Sequence, residues 1–210
     1  MSFSDYEAFW SGRYRDAGDD YLFGTAPNRF LAGQEGYFGD GMAVLSVADG
    51  EGRNAVWLAE QGCRVTATEI SEVALAKAAK LAHGRHVAVD FVKVDIFGWA
   101  WPAEAYDAVV GIFIQFAGPA ERQRLFAGMK QAVKPGGLLF LQGYSPKQLD
   151  YRTGGPSAIE NLYTAELLKE AFGDWEIRVL REHEEVIEEG RGHAGRSALI
   201  DLVAQKPTGR

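Results

Sequence analysis

The sequence is poor in several residue types, and each shortage excludes a class of protein. It contains one cysteine, Cys63, so a disulfide framework or a cysteine-based metal cluster is not possible. The glutamates near its end have no paired histidines, and we predict no metal site. Lys and Arg number 22 against 29 Asp and Glu, and the resulting formal net charge of -7 disfavours nucleic acid as a partner or substrate.

Long apolar runs are missing as well. No stretch approaches the roughly 18 uninterrupted apolar residues of a transmembrane helix, so we expect no membrane partner. The opening segment, MSFSDYEAFWSGRYRD, lacks the basic start and apolar core of a signal peptide. Together with the single cysteine, this favours a cytoplasmic protein. The acidic charge and the lack of an obvious apolar stripe predict a monomer or weak dimer.

The sequence does contain a regular alternation of strand and helix patterns over 210 residues. We predict one domain, 1–210, with an N-terminal lid segment at 1–40, a core at 41–145 and a C-terminal part at 146–210. The predicted strands are Ala43–Ala48, Arg64–Glu69, Val87–Val94, Tyr106–Ile112, Leu138–Gln142, Trp175–Glu185 and Ser197–Gln205. The predicted helices are Glu51–Gln61, a helix from Ser71 to about His83, Pro119–Val133 and Thr164–Phe172.

This order of elements predicts an α/β fold, a Rossmann-like three-layer sandwich with a mostly parallel sheet. A loop is expected at Gly143–Pro156 and a Gly-rich turn at Glu189–Gly195. Because no helix separates the last two strands, they should form an antiparallel hairpin. That ending disfavours a nicotinamide-dependent dehydrogenase, whose second half repeats strand–helix–strand units.

The loop Ala48–Gly52, which follows the first strand, is the candidate cofactor loop. Its small residues allow a ligand to approach the backbone closely, and the helix behind it offers free N–H groups. Candidate cofactor contacts here are Ala48, Asp49, Gly50, Gly52 and Asn54. A Gly-x-Gly turn alone is equally consistent with a tight strand–helix connection.

Two acidic residues at later strand ends strengthen the cofactor hypothesis. Glu69, with Ile70 after it, lies 19 residues beyond Gly50, where a carboxylate can accept from both ribose hydroxyls. Asp95 ends the third strand and can accept from an adenine amine, while the Ile96 N–H can donate to a ring nitrogen. The alternatives are an exposed strand-end Glu69 and a turn-capping Asp95.

The segments VLSVADGEGRNAVWLAEQG, VTATEIS, VDIF, YDAVVGIF and VKPGGLL, in this order, resemble the class I S-adenosylmethionine-dependent methyltransferases. With WSGRY, YLFGTAPNRFL and GHAGRSALIDLVAQKP, the chain is also similar to the tellurite-resistance and thiopurine-methyltransferase-like branch of that group. The resemblance implies a seven-stranded sheet of order 3-2-1-4-5-7-6. It also implies S-adenosylmethionine as cofactor, with S-adenosylhomocysteine as product. Trp10, Tyr14 and Gly24 would then contact the methionine end.

The cofactor loop departs from the usual first motif, D-x-G-x-G-x-G. Ser46 stands where that motif has its acid, and Ala48 stands at its first glycine. This is similar to a Cys/Ser-x-Ala variant of the branch. A carboxylate for the methionine ammonium is therefore missing at Ser46, and we assign that contact to Asp49 and to backbone carbonyls.

The substrate side is predicted from aromatic residues and a few polar groups. We expect Gly111 and Phe113, at the end of the fourth strand, to contact the cofactor. The candidate substrate-binding residues are Phe23, Phe116, Tyr144 and Arg152. Tyr144 and His193 are also the candidate catalytic residues, with His193 as a base or clamp. For Phe116 a core position, and for His193 and Arg152 a solvent-exposed position, are the plainer interpretations.

These features predict methyl transfer to a small molecule by in-line displacement, with a thiol or a selenium or tellurium oxyanion as acceptor. A soft nucleophile of this kind needs no general base, whereas a hydroxyl or ammonium does. Three alternatives remain open. They are a protein methyltransferase, a nicotinamide-dependent reductase, and a non-catalytic protein that binds adenosylmethionine or a nucleotide.

Overall fold

A computed structural model describes residues 3–209 of the chain. Met1, Ser2 and Arg210, which the predicted 1–210 domain includes, lie outside the described residues. The strands are β1 Ala43–Ser46, β2 Arg64–Glu69, β3 Val89–Lys93, β4 Tyr106–Ile112, β5 Val133–Tyr144, β6 Glu176–Glu189 and β7 His193–Gln205. The α-helices are α1 Phe3–Asp16, α2 Arg29–Ala32, α3 Arg53–Glu60, α4 Glu72–Gly84, α5 Pro119–Ala132, α6 Gln148–Tyr151 and α7 Ala165–Phe172. Short 3-10 helices lie at Glu35–Tyr37 and Ile159–Asn161.

The strands form one seven-stranded sheet of order β3-β2-β1-β4-β5-β7-β6. β1 and β2, β2 and β3, and β4 and β5 pair in parallel. β7 runs antiparallel to β5. The predicted α/β fold, the strand order and the C-terminal antiparallel hairpin are therefore confirmed.

Contacts along the chain divide it into two compact units. The first contains the residues up to Trp99 together with Glu189–Gly192, and the second contains Ala100–Glu188 together with the residues from His193 onward. In the first unit, Ser71 begins α4 as predicted, because its hydroxyl accepts from the Ala74 N–H at 3.3 Å. The same hydroxyl lies 2.8 Å from Ser11 Oγ and so joins α1 to α4.

In the second unit, β5 is longer than the predicted Leu138–Gln142. Tyr106 pairs with Val133 and Ala108 pairs with Leu138, so residues 134–137 bulge out of the ladder without ending the strand. Gly136 makes this possible with a φ of 77°. The sequence KPGG therefore encodes a bulge within a strand, where we predicted only the end of a helix.

The C-terminal hairpin is also longer than predicted. Its strands reach Glu189 and His193, so the turn has three residues, 190–192, in place of the predicted Glu189–Gly195. His193 is consequently a buried strand residue with 9% exposure, and the interpretation of a solvent-exposed turn residue is wrong.

His183 of β6 is half-buried. Its Nε2 lies 2.9 Å from Oδ2 of the fully buried Asp201, within ion-pair distance but without hydrogen-bond geometry.

The predicted Gly143–Pro156 loop is only partly a loop. Gly143 and Tyr144 complete β5, and α6 lies within the remainder. Gln148 fixes α6 in place, because its Oε1 accepts from the Ala198 N–H at 2.9 Å and its Nε2 donates to the Gly154 carbonyl at 3.1 Å. Among residues 3–209, no helix is both long and apolar enough to cross a membrane.

Candidate functional site

The loop between β1 and α3 turns through three residues with left-handed backbone. Ala48, Gly50 and Gly52 have φ values of 49°, 65° and 90°. The Ala48 and Asp49 N–H groups donate to the side chain and the carbonyl of Thr68, at 3.2 and 2.9 Å. The predicted cofactor loop is therefore fixed to the end of β2.

Glu69 lies against this loop. Its Oε2 accepts from the Gly50 N–H at 3.0 Å and its Oε1 accepts from the Ser71 N–H at 2.9 Å. Burial raises the pKa of the Glu69 carboxyl, and the backbone donors, including Ile70, oppose that rise. A carboxylate offers about four acceptor positions, and the Gly50, Ile70 and Ser71 N–H groups use three of them. Glu69 is thus held in place by the backbone, and its contact with the ribose stays a prediction.

Tyr14 of α1 covers the loop from the other side. A Cβ placed on Gly50 would lie 2.9 Å from the Tyr14 hydroxyl, so glycine allows the ring to approach. Burial, followed by the charges of Glu69 and Glu51, raises the pKa of Tyr14 well above its ordinary value. The phenol therefore stays neutral and can donate a hydrogen bond at neutral pH.

Gly52 has a packing role that explains its identity. A Cβ at this position would lie 2.7 Å from the Ala78 Cβ and 3.0 Å from the Ala78 Cα, on a backbone with φ of 90°. Gly52→Ala is therefore expected to destabilise the fold by at least about 1–2 kcal/mol, the cost of left-handed backbone alone. Urea unfolding of the variant tests this. Gly12→Ala, which meets nothing within 4 Å, is a surface control. Equal stabilities of the two variants would contradict the packing role.

The two carboxylate oxygens of Asp49 differ in their hydrogen bonding. The Ser46 hydroxyl donates to its Oδ1, whereas its buried Oδ2 has no hydrogen-bond partner among the described residues. Burial raises the pKa of Asp49 from 3.8 to about 7, opposed by the Ser46 hydrogen bond and by the charge of Arg53. Asp49 is therefore a buried acid whose charged form is not fully compensated.

Arg53, at the start of α3, is buried in an ion pair. Its Nη2 lies 2.7 Å from Glu189 Oε2, and the two side chains are 7% and 5% exposed. Glu189 also accepts from Asn28 Nδ2 at 3.0 Å and from the Arg29 N–H at 3.2 Å. The Asn28 N–H in turn donates to Asn54 Oδ1 at 2.9 Å. Asn54, predicted to contact the cofactor, is therefore part of a structural network.

The second nitrogen of this guanidinium is not used by the network. Arg53 Nη1 is buried and has no hydrogen-bond partner within residues 3–209. The first unit thus holds one buried acidic oxygen, on Asp49, and one buried basic nitrogen, on Arg53, that each lack a partner. Unsatisfied buried groups of this kind cost about 1–3 kcal/mol each unless a ligand or water satisfies them. An α-amino acid group carries charges of the matching signs, one ammonium and one carboxylate.

Lys77 of α4 fastens the segment that follows α1. Its Nζ donates to the Tyr14 and Asp20 carbonyls at 2.8 and 2.9 Å and to the buried Glu51 at 2.9 Å. The other Glu51 oxygen accepts from the Leu22 N–H at 2.7 Å. The Lys77 ammonium and the Glu51 carboxylate therefore together hold the predicted lid segment in place.

The other predicted residues of this segment pack as an aromatic group. Trp10 stacks on Tyr14 with centroids 6.0 Å apart, and Phe23 meets Tyr14 edge-on at 6.4 Å. Gly24 lies against the hairpin tip, because a Cβ on Gly190 would lie 2.5 Å from the Gly24 nitrogen. This close approach explains why residue 190 is a glycine, whereas Gly24 itself has left-handed backbone with a φ of 71°. The cofactor contact of Gly24 stays a prediction.

Asp95 and Ile96 follow β3, as predicted. Asp95 Oδ1 accepts from the Phe97 N–H at 3.0 Å, which is the turn-capping arrangement that we kept as the alternative. Ile96 is buried, with 7% exposure. Asp95 retains its second oxygen for other donors, so the adenine contact stays a prediction.

The second unit brings together three of the predicted residues. Phe113, at a φ of 55°, lies with its ring centroid 4.3 Å from that of His193 and 4.7 Å from that of Tyr144. A Cβ on Gly155 would lie 2.7 Å from the Tyr144 ring, so the segment after α6 covers it. The candidate catalytic pair therefore lies in one aromatic cluster.

The remaining predicted residues of the second unit differ in setting. Gly111 is packed, because a Cβ there would lie 2.7 Å from Ile114 Cδ1 and 2.9 Å from Met129 Cε. Phe116 is half-buried and Arg152 is exposed. Their contacts with cofactor or substrate stay predictions. No group of His, Cys, Asp and Glu suited to a metal ion is found in the described part of the chain.

Sequence reasoning missed the buried charges of the first unit. The residues proposed from the sequence do not include Glu51, Arg53 or Glu189, although Glu51 and Arg53 lie within or next to the predicted cofactor loop. A signal was present, since a Glu and an Arg flank Gly52 in a loop expected to be buried. Glu189 had no signal of its own, because its partner Arg53 lies 136 positions away.

Comparison with known proteins gives one family match and several structures with the same fold. Residues 44–137 match the family model described as a methyltransferase domain. The search among curated proteins gives no match. Among solved structures, the chain resembles the protein described in "Conversion of a Disulfide Bond into a Thioacetal Group during Echinomycin Biosynthesis", with 18% identity, a TM-score of 0.76 and coverage of 98% of this chain and 94% of the other.

Two further structures share the fold. TehB from Haemophilus influenzae is 20% identical, with a TM-score of 0.71 and coverage of 95% of this chain and 66% of TehB. A phosphoethanolamine N-methyltransferase from Haemonchus contortus, in complex with phosphomonomethylethanolamine and S-adenosylhomocysteine, is 16% identical, with a TM-score of 0.70 and coverage of 98% and 59%. The chain thus has the fold of these structures, and its residues 44–137 match the methyltransferase domain.

Proposed function

We propose that the protein binds S-adenosylmethionine in its first unit and transfers the methyl group to a small molecule. The observation that carries this proposal is the pair of buried, unsatisfied atoms, Asp49 Oδ2 and Arg53 Nη1. They match the ammonium and carboxylate of a methionine group, and Glu69 is proposed to accept from the ribose. The match of residues 44–137 to a methyltransferase domain supports the same cofactor.

In this proposal, each of the site residues positions a different part of the cofactor. Asp49 accepts from the ammonium, Arg53 donates to the carboxylate, and Glu69 accepts from the ribose. Tyr14 and Trp10 cover the loop with aromatic faces, which suit a sulfonium electrostatically. The cofactor supplies an activated methyl carbon, so the protein has to align an acceptor lone pair with the carbon–sulfur bond and exclude water.

For the acceptor we propose a small molecule with a soft nucleophile, a thiol or a selenium or tellurium oxyanion. The likeness to the protein of echinomycin biosynthesis, whose description names the conversion of a disulfide bond into a thioacetal group, supports a sulfur acceptor. The aromatic cluster of Phe113, Tyr144 and His193 is proposed to hold it, with His193 as base or clamp. We further propose a cytoplasmic monomer or weak dimer without a nucleic acid partner.

Calorimetric titration tests the cofactor. S-adenosylmethionine and S-adenosylhomocysteine are expected to bind, and NAD is not. Tight binding of NAD alone would contradict the proposal and favour a reductase. A labelled-methyl assay over thiols, selenite, tellurite and peptide acceptors then tests the acceptor. Cofactor binding without turnover on any class would favour a non-catalytic binding protein.

Asp49 makes cofactor affinity depend on pH. Because its pKa in the free protein is about 7, part of the population is protonated below neutral pH. An ammonium favours the ionised form, so binding at pH 6 should release a proton, and affinity should rise from pH 5.5 to pH 7.5, limits that are roughly the range over which this group ionises. Calorimetry with S-adenosylhomocysteine in buffers of different ionisation enthalpy measures this release.

The matched variant for this experiment is Asp49→Asn. It is expected to bind the ligand more weakly and to lose the pH dependence between these limits. In the free wild-type protein, the raised pKa also makes stability fall as the pH rises from 3.8 through about 7, since the folded state then binds more protons than the unfolded state. A pH dependence that persists in Asp49→Asn would show that another group titrates.

A further inference from the structure

The guanidinium of Arg13 on α1 is surrounded by aromatic rings. Its central carbon lies 5.2 Å from the ring centroid of Trp10 and 5.9 Å from those of Phe9 and Phe23. Such contacts fix the plane of a guanidinium at little conformational cost. Phe9 is 51% exposed, so this group of residues reaches the surface of the first unit.

The N–H groups of Arg13 are not used by these contacts. No described residue forms a hydrogen bond or an ion pair with its guanidinium, in contrast to Arg53 and Arg191, which both pair with carboxylates. Ring contacts satisfy the faces of the guanidinium and leave donors along its edge. That edge is the part of arginine that binds carboxylates and phosphates with two parallel hydrogen bonds.

The Arg13 group is continuous with the candidate cofactor loop. Trp10 and Phe23 both contact Tyr14, whose hydroxyl lies against Gly50. Arg13 is also close enough for its charge to oppose the rise in the pKa of Tyr14. A molecule bound at Arg13 would therefore lie beside the aromatic rings that lead to the loop.

The region around the loop is negatively charged, so an anionic ligand would need a cation there in order to bind. Asp49, Glu51 and Glu69 all lie around the loop, and the whole chain has a formal net charge of -7. An anionic acceptor would be repelled from this region without a local positive group. A cationic ligand would instead have to displace Arg13 from the rings that already hold it.

We propose that Arg13 is the docking residue for an anionic group, a carboxylate or phosphate, on a small acceptor whose apolar body packs against Phe9. This rests on the proposed function and adds the charge class of the acceptor to it. Arg13 binds the anionic end of the molecule, away from its nucleophilic atom, and takes no part in bond formation.

Binding of simple probes to the protein saturated with S-adenosylhomocysteine tests this docking role. Benzoate and phenyl phosphate are expected to bind more tightly than benzamide and benzylamine, as measured by calorimetry or NMR titration. Arg13→Gln should weaken benzoate binding by about tenfold, the effect of losing a charge-assisted hydrogen bond at a half-exposed position. Arg13→Lys keeps the positive charge and an aliphatic side chain, so its affinity for benzoate should lie between those of the wild-type protein and Arg13→Gln.

Arg15→Gln is the matched control, because Arg15 is an exposed cation on the same helix. It should leave benzoate binding unchanged. Affinity for S-adenosylhomocysteine, measured first in each sample, separates the two proposals. If it is lost in the wild-type protein, the proposed function fails. If it is retained while benzoate and benzamide bind equally, or while benzylamine binds best, the docking role of Arg13 is wrong.

Discussion

Replacing Glu189 with alanine is expected to lower the free energy of unfolding by about 3–5 kcal/mol, because it leaves the Arg53 guanidinium buried without its counter-charge. The pair is 2.7 Å apart and almost fully buried, so solvent screens it little. The variant also removes the acceptor for Asn28 and for the Arg29 N–H. Urea unfolding followed by circular dichroism measures the loss.

The neighbouring Glu188 provides the control, since it is exposed. Glu188→Ala should change stability by no more than about 0.5 kcal/mol. The double variant Arg53→Met/Glu189→Leu removes both charges and should be more stable than Glu189→Ala alone. If Glu189→Ala unfolds like the wild type, the buried ion pair is not a source of stability.

The second large effect is expected at Glu69. Glu69→Ala should weaken binding of S-adenosylhomocysteine by about 1–3 kcal/mol, because the ribose hydroxyls and the Gly50 N–H lose their acceptor. Calorimetry measures the change. Glu72→Ala is the control, because Glu72 lies near Glu69 in sequence with a side chain that is 75% exposed and paired only with Lys93.

Glu69 also holds the loop, so weaker binding alone does not identify a ribose contact. The 3′-deoxy analogue of S-adenosylhomocysteine separates the two effects. It should bind more weakly than the parent compound to the wild-type protein, and about equally to Glu69→Ala. The same penalty for the analogue in both proteins would show that Glu69 acts only on the loop.

Much of the fold follows from local patterns in the sequence. Parallel strands separated by helices, and a pair of final strands with no helix between them, determine the confirmed sheet. The predicted and observed elements differ where strand pairing decides the structure. KPGG is a helix-ending pattern locally, yet the pairing of Tyr106 with Val133 keeps those residues in β5 as a bulge. Local propensity carries no information about that register.

The candidate site likewise combines features that follow from local sequence with features that depend on contacts distant in sequence. Glu69 was predicted from its spacing to Gly50, and the structure places the two in direct contact. Asn54 was predicted as a cofactor contact, and its side chain also accepts from the N–H of Asn28, a neighbour that its sequence pattern does not reveal. Its cofactor contact stays a prediction. His193 was predicted in a turn, because nothing in the sequence shows that pairing extends β7 to that residue.

The return of the chain at Glu189–Gly192 to the first unit has a consequence for folding. The ion pair of Glu189 with Arg53 spans 136 positions, and its hydrogen bond to Asn28 spans 161. During synthesis, Arg53 therefore stays without its counter-charge until residue 189 has been added. Contacts of such long range form late and slowly. A nascent chain that stops before residue 189 would leave the Arg53 guanidinium without this partner.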